Sequence, residues 1–208
     1  MLDNPPENFC LPAPSRQGKV TLEQVIAYRR SWRCFCPEAI TQAQLSQVLW
    51  AAQGITQPME RLRSAPSAGA TFPLETMVVG GPDSIEGLSD GIYRYNNGNH
   101  SLTRRHPGDV RLALAQAAQG QGFIAEAPVD IVISGIYRRA TPRYHTRGER
   151  YVHLEAGHAG QNIYLQALAI GLATVAVGAF DDEMVREVLQ LDQLHTPLYI
   201  MPLGKPAR

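Results

Sequence analysis

The run from Tyr151 to Gly171 constrains this chain more than any other segment. Val152, Ala156, Ala159, Ile163, Ala167 and Ile170 recur at steps of three and four, the period of one helix face. Apolar residues elsewhere around its circumference imply contact on more than one side. Such a helix needs a sizeable core to sit in. With 208 residues, 44% of them apolar, the chain is long enough to build one.

The remaining elements are read around that helix. TLEQVIAYRR (21–30) predicts a helix capped by Thr21, with Gln24 as its capping-box partner. TQAQLSQVLWAAQ (41–53) repeats the arrangement with Thr41 and Gln44, and Gly54 ends it. Residues 57–73 carry prolines and small residues and read as a loop too long for a plain connector. TMVVGG (76–81), IYRY (92–95), VDIVISGI (129–136) and LYIMPLG (198–204) read as strands, the third as an inner one. A polar helix is expected over 109–119, and a basic loop over 138–150. TVAVGAF follows the long helix, and a short helix begins at Asp181-Asp182, where two carboxylates meet its positive end. Helices and strands mix without a clean βαβ alternation, so the class is α+β. Four prolines in the first fourteen residues predict an extended arm over 1–19, leaving 20–208 as a single domain.

Composition excludes several functions. Lys plus Arg equals Asp plus Glu at 19 each, so no overall field draws in nucleic acid or an anionic membrane. The N-terminus has neither a basic start nor an apolar core, and no run of 18 apolar residues occurs, so neither a signal peptide nor a spanning helix is expected. Three cysteines, Cys10, Cys34 and Cys36, fit neither a disulfide framework nor a zinc site and read as reduced thiols in the cytoplasm.

Four clusters could carry chemistry. Arg29, Arg30, Ser31 and Arg33 place three guanidiniums and a hydroxyl at a helix C-terminus, donors suited to a phosphate. On spacing alone they read first as dipole compensation and surface charge. Pro66, Ser67, Ala68 and Gly69 form a small-residue stretch that lets a flat ligand approach the backbone. Val177 and Gly178 sit in an apolar run whose glycine either marks close backbone approach or makes a tight turn. His153, Glu155 and His158 place Glu-x-x-His on a helix, but a di-iron site needs a second such motif, and a polar pair on a helix flank explains it as well. No metal is expected. No Walker loop, G-x-G-x-x-G or G-x-S-x-G occurs.

Taken in order, AYRRSWRCF (27–35), APSAGATFPLE (65–75), GIYRY (91–95), YVHLEAGHAGQNIYLQALAIGLATVAVGAFDD (151–182) and LYIMPLGKP (198–206) resemble the nitroreductase-like FMN oxidoreductases. More narrowly they resemble the SagB-type dehydrogenase branch, which includes the azoline-oxidising enzymes of thiazole/oxazole peptide biosynthesis. The resemblance covers residues 20–206. It implies a four- or five-stranded, mostly antiparallel sheet wrapped by helices, and an intertwined homodimer with two FMN sites at its interface. By position, Arg29, Ser31 and Arg33, with Arg30 beside them and Lys205 adding charge, would hold the flavin phosphate and ribityl chain. Pro66, Ser67, Ala68 and Gly69 would arrive from the partner subunit, and Val177 and Gly178 would lie near flavin N5. Hydride would pass through N5 to or from a small organic substrate, with NADH or NADPH as a donor.

Some azoline-oxidising members carry a Lys-Tyr pair, and Arg143-Tyr144 occupies that place here. A guanidinium is a poor base, so a free-standing dehydrogenase or reductase is implied at least as much as a peptide-tailoring enzyme, with Tyr144 as the acid. A flavin-binding module that has lost catalysis, and a metal protein built on Glu155 and His158, are the competing readings.

Overall fold

The computed structural model describes residues 7–207. Its centre is a seven-stranded sheet in which every neighbouring pair runs antiparallel. The strands are β1 (Asn8–Cys10), β4 (Leu74–Gly80), β5 (Gly91–Asn96), β6 (Ser101–Pro107), β7 (Val129–Gly135), β8 (Ala173–Thr174) and β9 (Thr196–Gly204), in the spatial order β1-β6-β5-β4-β7-β9-β8. A separate ribbon pairs β2 (Ile55–Gln57) with β3 (Leu62–Arg63).

Among the described residues are seven α-helices: α1 (Leu22–Tyr28), α2 (Gln42–Gln53), α3 (Arg111–Ala117), α4 (Phe123–Glu126), α5 (Thr141–Tyr144), α6 (Arg147–Ala169) and α7 (Asp182–Leu189). Both anticipated capping boxes form. Thr21 and Thr41 accept from the backbones of Gln24 and Gln44, whose side chains bond back to the cap N–H groups.

Alternation along the inner strands sorts the core into two layers. Val78, Ile131, Ile133 and Met201 face α2 and α6, meeting Leu45, Leu49, Val152, Ala156 and Ile163. Met77, Val79, Val132 and Ile200 face the opposite way, against Leu114, Ile124, Val185 and Leu189 of α3, α4 and α7. Each such side chain, fully buried, contributes roughly 1.5–3 kcal/mol. All seven residues of β7 are buried, as an inner strand with helices on both faces requires. The approach of α6 is close: a Cβ on Gly135 would stand 2.6 Å from Val152 Cγ1.

Three local readings are corrected. The sheet has seven strands rather than four or five, because β1, β6 and β8 extend its edges. The basic segment 138–150 is largely helical: a 3-10 turn at Tyr137–Arg139, then α5, then the start of α6 at Arg147. Its arginines are mostly exposed, and Pro142 occupies the first turn of α5, where no N–H is needed. The 57–73 loop contains β3 and a 3-10 turn at Ala68–Ala70. Within the proline-rich N-terminal stretch, β1 pairs with β6. The backbone at Ser15 then docks on the Gln47 side chain of α2.

Candidate active site

The predicted site residues gather at two places along α6. The first is near its C-terminal end, at Tyr164. The Tyr164 hydroxyl accepts the backbone N–H of Ala176 at 2.7 Å and bonds the Ser31 hydroxyl at 2.9 Å. The Arg29 guanidinium lies over the same ring, 5.1 Å from its centroid. Tyr164 therefore ties the Arg-rich segment after α1 to the Val175–Phe180 turn. That turn is set by Val177, which exchanges backbone hydrogen bonds with Ile200 at 2.9 and 3.0 Å. Gly178 next to it is exposed, and the nearest atom to a Cβ built there is Tyr199 Cε1 at 4.0 Å. The surface beside it is open enough for a flat group to lie on the backbone.

The segment continues along the sheet edge. Trp32 N–H donates to Thr174 at 3.1 Å, and Cys36 N–H to Lys205 at 2.9 Å. Arg33 stands over the Phe123 ring at 5.8 Å. Arg29 and Arg33 thus stack on aromatic rings, and none of the ion pairs among the described residues involves them. Arg30 spends donors on the carbonyls of Ala27 and Arg29, closing the end of α1. The Lys205 ammonium pairs with Glu38, which raises its pKa. Two guanidiniums, a hydroxyl and an open glycine backbone make a donor set that fits a phosphate-bearing aromatic cofactor.

The second place is around Glu155, nine residues earlier on α6, or roughly 14 Å along the axis at 1.5 Å per residue. Here Gly69 adopts φ 57°, ψ 24°. A Cβ on it would collide with the Tyr144 hydroxyl and with Arg143. Arg143 Nη1 donates to the Gly69 carbonyl at 3.1 Å. Tyr144 packs edge-on against Tyr151 with ring centroids 5.0 Å apart. So Ser67, Gly69, Arg143 and Tyr144 are brought together in one chain. Pro66 is exposed and Ala68 half-buried within the same loop. Because the two clusters sit well apart on α6, one subunit does not close the loop over the Arg segment.

Glu155 is 2% exposed on α6 and has an Oε1 without a hydrogen-bond partner among the described residues. Burial raises its pKa to about 7, against the pull of the Ser67 hydroxyl, the Arg63 guanidinium and the Gln53 amide that face it. Its partners are therefore not His158, and the described residues hold no group of three or more metal-ligating side chains. His153 instead shares a 2.6 Å hydrogen bond with the Tyr137 hydroxyl.

Tyr164 and Glu155 are the two residues that the motifs did not single out for these roles. Glu155 had a signal: it breaks the apolar stripe between Val152 and Ala156, at a position facing inward. Tyr164 had none, since its role depends on two segments distant in sequence.

The nitroreductase family model matches residues 26–205. A protein of Methanocaldococcus jannaschii that carries a nitroreductase name is 44% identical over 188 residues, covering 90% of this chain and 92% of its own. The trifolitoxin operon protein TfxC of Rhizobium leguminosarum bv. trifolii is 28% identical over 205 residues, covering 92% of this chain but 57% of its own length. Among solved structures, a nitroreductase-named protein of Ralstonia eutropha superposes with a TM-score of 0.85 at 27% identity, covering 97% of this chain and 90% of that one.

Proposed function

The chain belongs to the nitroreductase family, and from that premise we propose that it is an FMN-dependent oxidoreductase of the SagB type. It acts as a homodimer with a flavin at each of two equivalent interface sites, on a small organic substrate, with NADH or NADPH as donor. One observation carries the reading. Arg29 and Arg33 stand stacked and without carboxylate partners among the described residues, on a segment that Tyr164 fastens to the Val177-Gly178 turn.

Arg29, Arg33 and the Ser31 hydroxyl would hold the phosphate and ribityl chain. Arg30 shapes the end of α1 beside them, and Lys205 adds charge at the edge. Val177 and Gly178 offer the backbone face on which the ring rests. When bound, the flavin supplies hydride transfer through N5. Pro66, Ser67, Ala68 and Gly69 close the site from the second subunit and carry Tyr144 with them. Tyr144 holds the proton the substrate exchanges. Arg143 is pinned on the Gly69 carbonyl and orients the loop rather than acting as a base.

Exposed apolar side chains support the second copy. Leu22 is 59%, Ile26 56% and Tyr28 69% exposed on α1, and Leu154 on α6 is 54% exposed. Cys10, Cys34 and Cys36 are free thiols, which suits the cytoplasm. No helix among the described residues is long and apolar enough to cross a membrane.

The purified protein should be yellow, bleach anaerobically with NADH or NADPH, and scatter light as a dimer. A protein that gains no flavin bands when FMN is added contradicts the assignment. A second reading, azoline-to-azole oxidation, is favoured by Tyr144 beside Gly69 and by the relative's trifolitoxin operon name. Loss of two hydrogens per ring from an azoline peptide, read by mass spectrometry, tests it.

A further inference from the structure

A cavity of about 450 Å³ opens where the end of α2, β3, β4 and the β5–β6 turn meet. Polar groups make up most of its lining, beside Leu74 and Tyr95. Arg61, Arg63 and Arg94 contribute guanidiniums, Gln53 and Thr76 line it, and the turn Asn97–Asn99 forms part of its wall. None of these residues takes part in the flavin site described above.

Charge in the cavity is unbalanced. Glu75 is the one carboxylate in the lining, and it answers Arg94 at 2.8 Å and Arg139 at 2.6 Å together. Arg63 has instead the neutral Gln53 Oε1 at 2.7 Å and the Phe72 ring at 4.5 Å. Burial holds the Arg63 pKa below its ordinary value, the mark of a charge short of a counter-ion. Glu155 behind it is the nearest compensation, and that carboxyl keeps its own proton to about pH 7.

The lining also leaves a polar atom idle. Gln53 and Thr76 are each 2% exposed. Thr76 Oγ1 has no hydrogen-bond partner among the described residues, whereas the Gln53 amide faces the Glu155 carboxyl. Native interiors rarely leave such atoms unsatisfied. The idle group is a hydroxyl that can donate, beside guanidiniums that can only donate. The complement of that set is an acceptor-rich anion.

We propose that this cavity binds the oxyanion group of a small polar molecule, a carboxylate or a phosphate, at a site separate from the flavin. Its volume falls in the range of small-molecule pockets. Arg61 and Arg63 supply the charge, and the Thr76 hydroxyl a short-range contact.

The test uses the flavin-loaded protein in a low-salt zwitterionic buffer. Inorganic phosphate and citrate are titrated separately by calorimetry, and their relative affinities distinguish the two sources of oxyanion. Saturable binding of at least one is expected. Arg61→Gln and Thr76→Val should each weaken it fivefold or more, with the visible spectrum and flavin retention unchanged. No saturable heat from either anion overturns the proposal. So does a Thr76→Val protein that melts at a higher temperature yet binds as the parent does, because that result marks a dry cavity. Because flavin content is measured in the same samples, loss of anion binding is told apart from failure of the flavin assignment.

Discussion

The two ends of α6 handle charge in opposite ways. Near Glu155 the charges are inside: Glu155 and Arg63 face the same Gln53 side chain. Near Tyr164 the charges stay at the surface, with Arg29 and Arg33 laid over aromatic rings and no carboxylate among the described residues to answer them. A closed network stiffens a fold and is sensitive to pH. An open one costs little to keep and leaves its donors for another molecule. The contrast predicts that lesions at the C-terminal end should damage ligand binding, and lesions at the N-terminal half should change stability, upward or downward with the group removed.

The most damaging break should be at the open end. Replacing Arg29 and Arg33 together with alanine removes two charged donors, each worth roughly 1.5–3 kcal/mol in a charge-assisted bond. Flavin affinity should fall by about a hundredfold or more on that scale, measured by fluorescence on reconstitution. The melting temperature of the flavin-free protein should barely move, since the two side chains are lost only from stacking contacts. Retained flavin in the double variant would end the assignment of this segment.

The closed end should answer to pH. The Glu155 carboxyl is raised from 4.5 to about 7 in the folded chain. Between those values the folded state keeps a proton that the unfolded chain has lost. The Glu155 contribution to stability is therefore greatest below about pH 4.5, falls as pH rises to about 7, and then levels. The loss is on the order of 3 kcal/mol. Glu155→Gln should match the parent near pH 5 and exceed it by about that amount near pH 8, read by denaturant unfolding. Fully buried Asp130 on β7, also raised by desolvation, adds a slope of the same sign to both proteins, so the difference between them is the measurement. Equal curves at both pH values would show that Glu155 titrates as an exposed acid.

Gly69 tests the loop that sits beside the closed end. Alanine there must hold a positive φ and push against Tyr144 and Arg143. Gly69→Ala should cost about 1–3 kcal/mol in thermal or denaturant unfolding. Turnover should also fall through displacement of Tyr144, and flavin retention should fall less than with Arg29 and Arg33 removed. Unchanged stability and turnover would detach this loop from the site.

The sequence carried the buried frame well and the contacts between distant segments poorly. Periodicity placed α6 and the inner strand β7 because both bury whole faces, and burial selects residue type directly. Thr21 and Thr41 announced their helices through chemistry confined to four residues. Strand β6 was missed because its outer half, Thr103 to Pro107, is polar and partly exposed, and pairing with β5 rather than hydrophobicity holds it. Helix α5 was hidden by exposed arginines and Pro142, which weigh toward loop when no neighbour is known. The Arg29–Arg33 cluster was visible as charge. Its partner Tyr164, 131 positions beyond Arg33, was not, because nothing local distinguishes a tyrosine that joins two segments from one that fills a gap.

Tyr164→Phe is the finest cut between the two ends, since it keeps the ring and removes one oxygen. The ring would still carry Arg29. The Ala176 N–H would lose its acceptor and Ser31 its partner. Two ordinary hydrogen bonds at about 0.5–1.5 kcal/mol each set the scale of destabilisation. Because those bonds hold Ser31 against the Val177-Gly178 turn, flavin affinity should fall too, by about tenfold, or roughly 1.4 kcal/mol. That is much less than with both arginines removed, because the charges remain. Ser31→Ala should reproduce part of the affinity loss and less of the stability loss, since Ala176 keeps its acceptor. A phenylalanine variant that loses stability but binds flavin as the parent does would mean that the two segments are joined for folding alone, and the division between a closed and an open end would have to be redrawn.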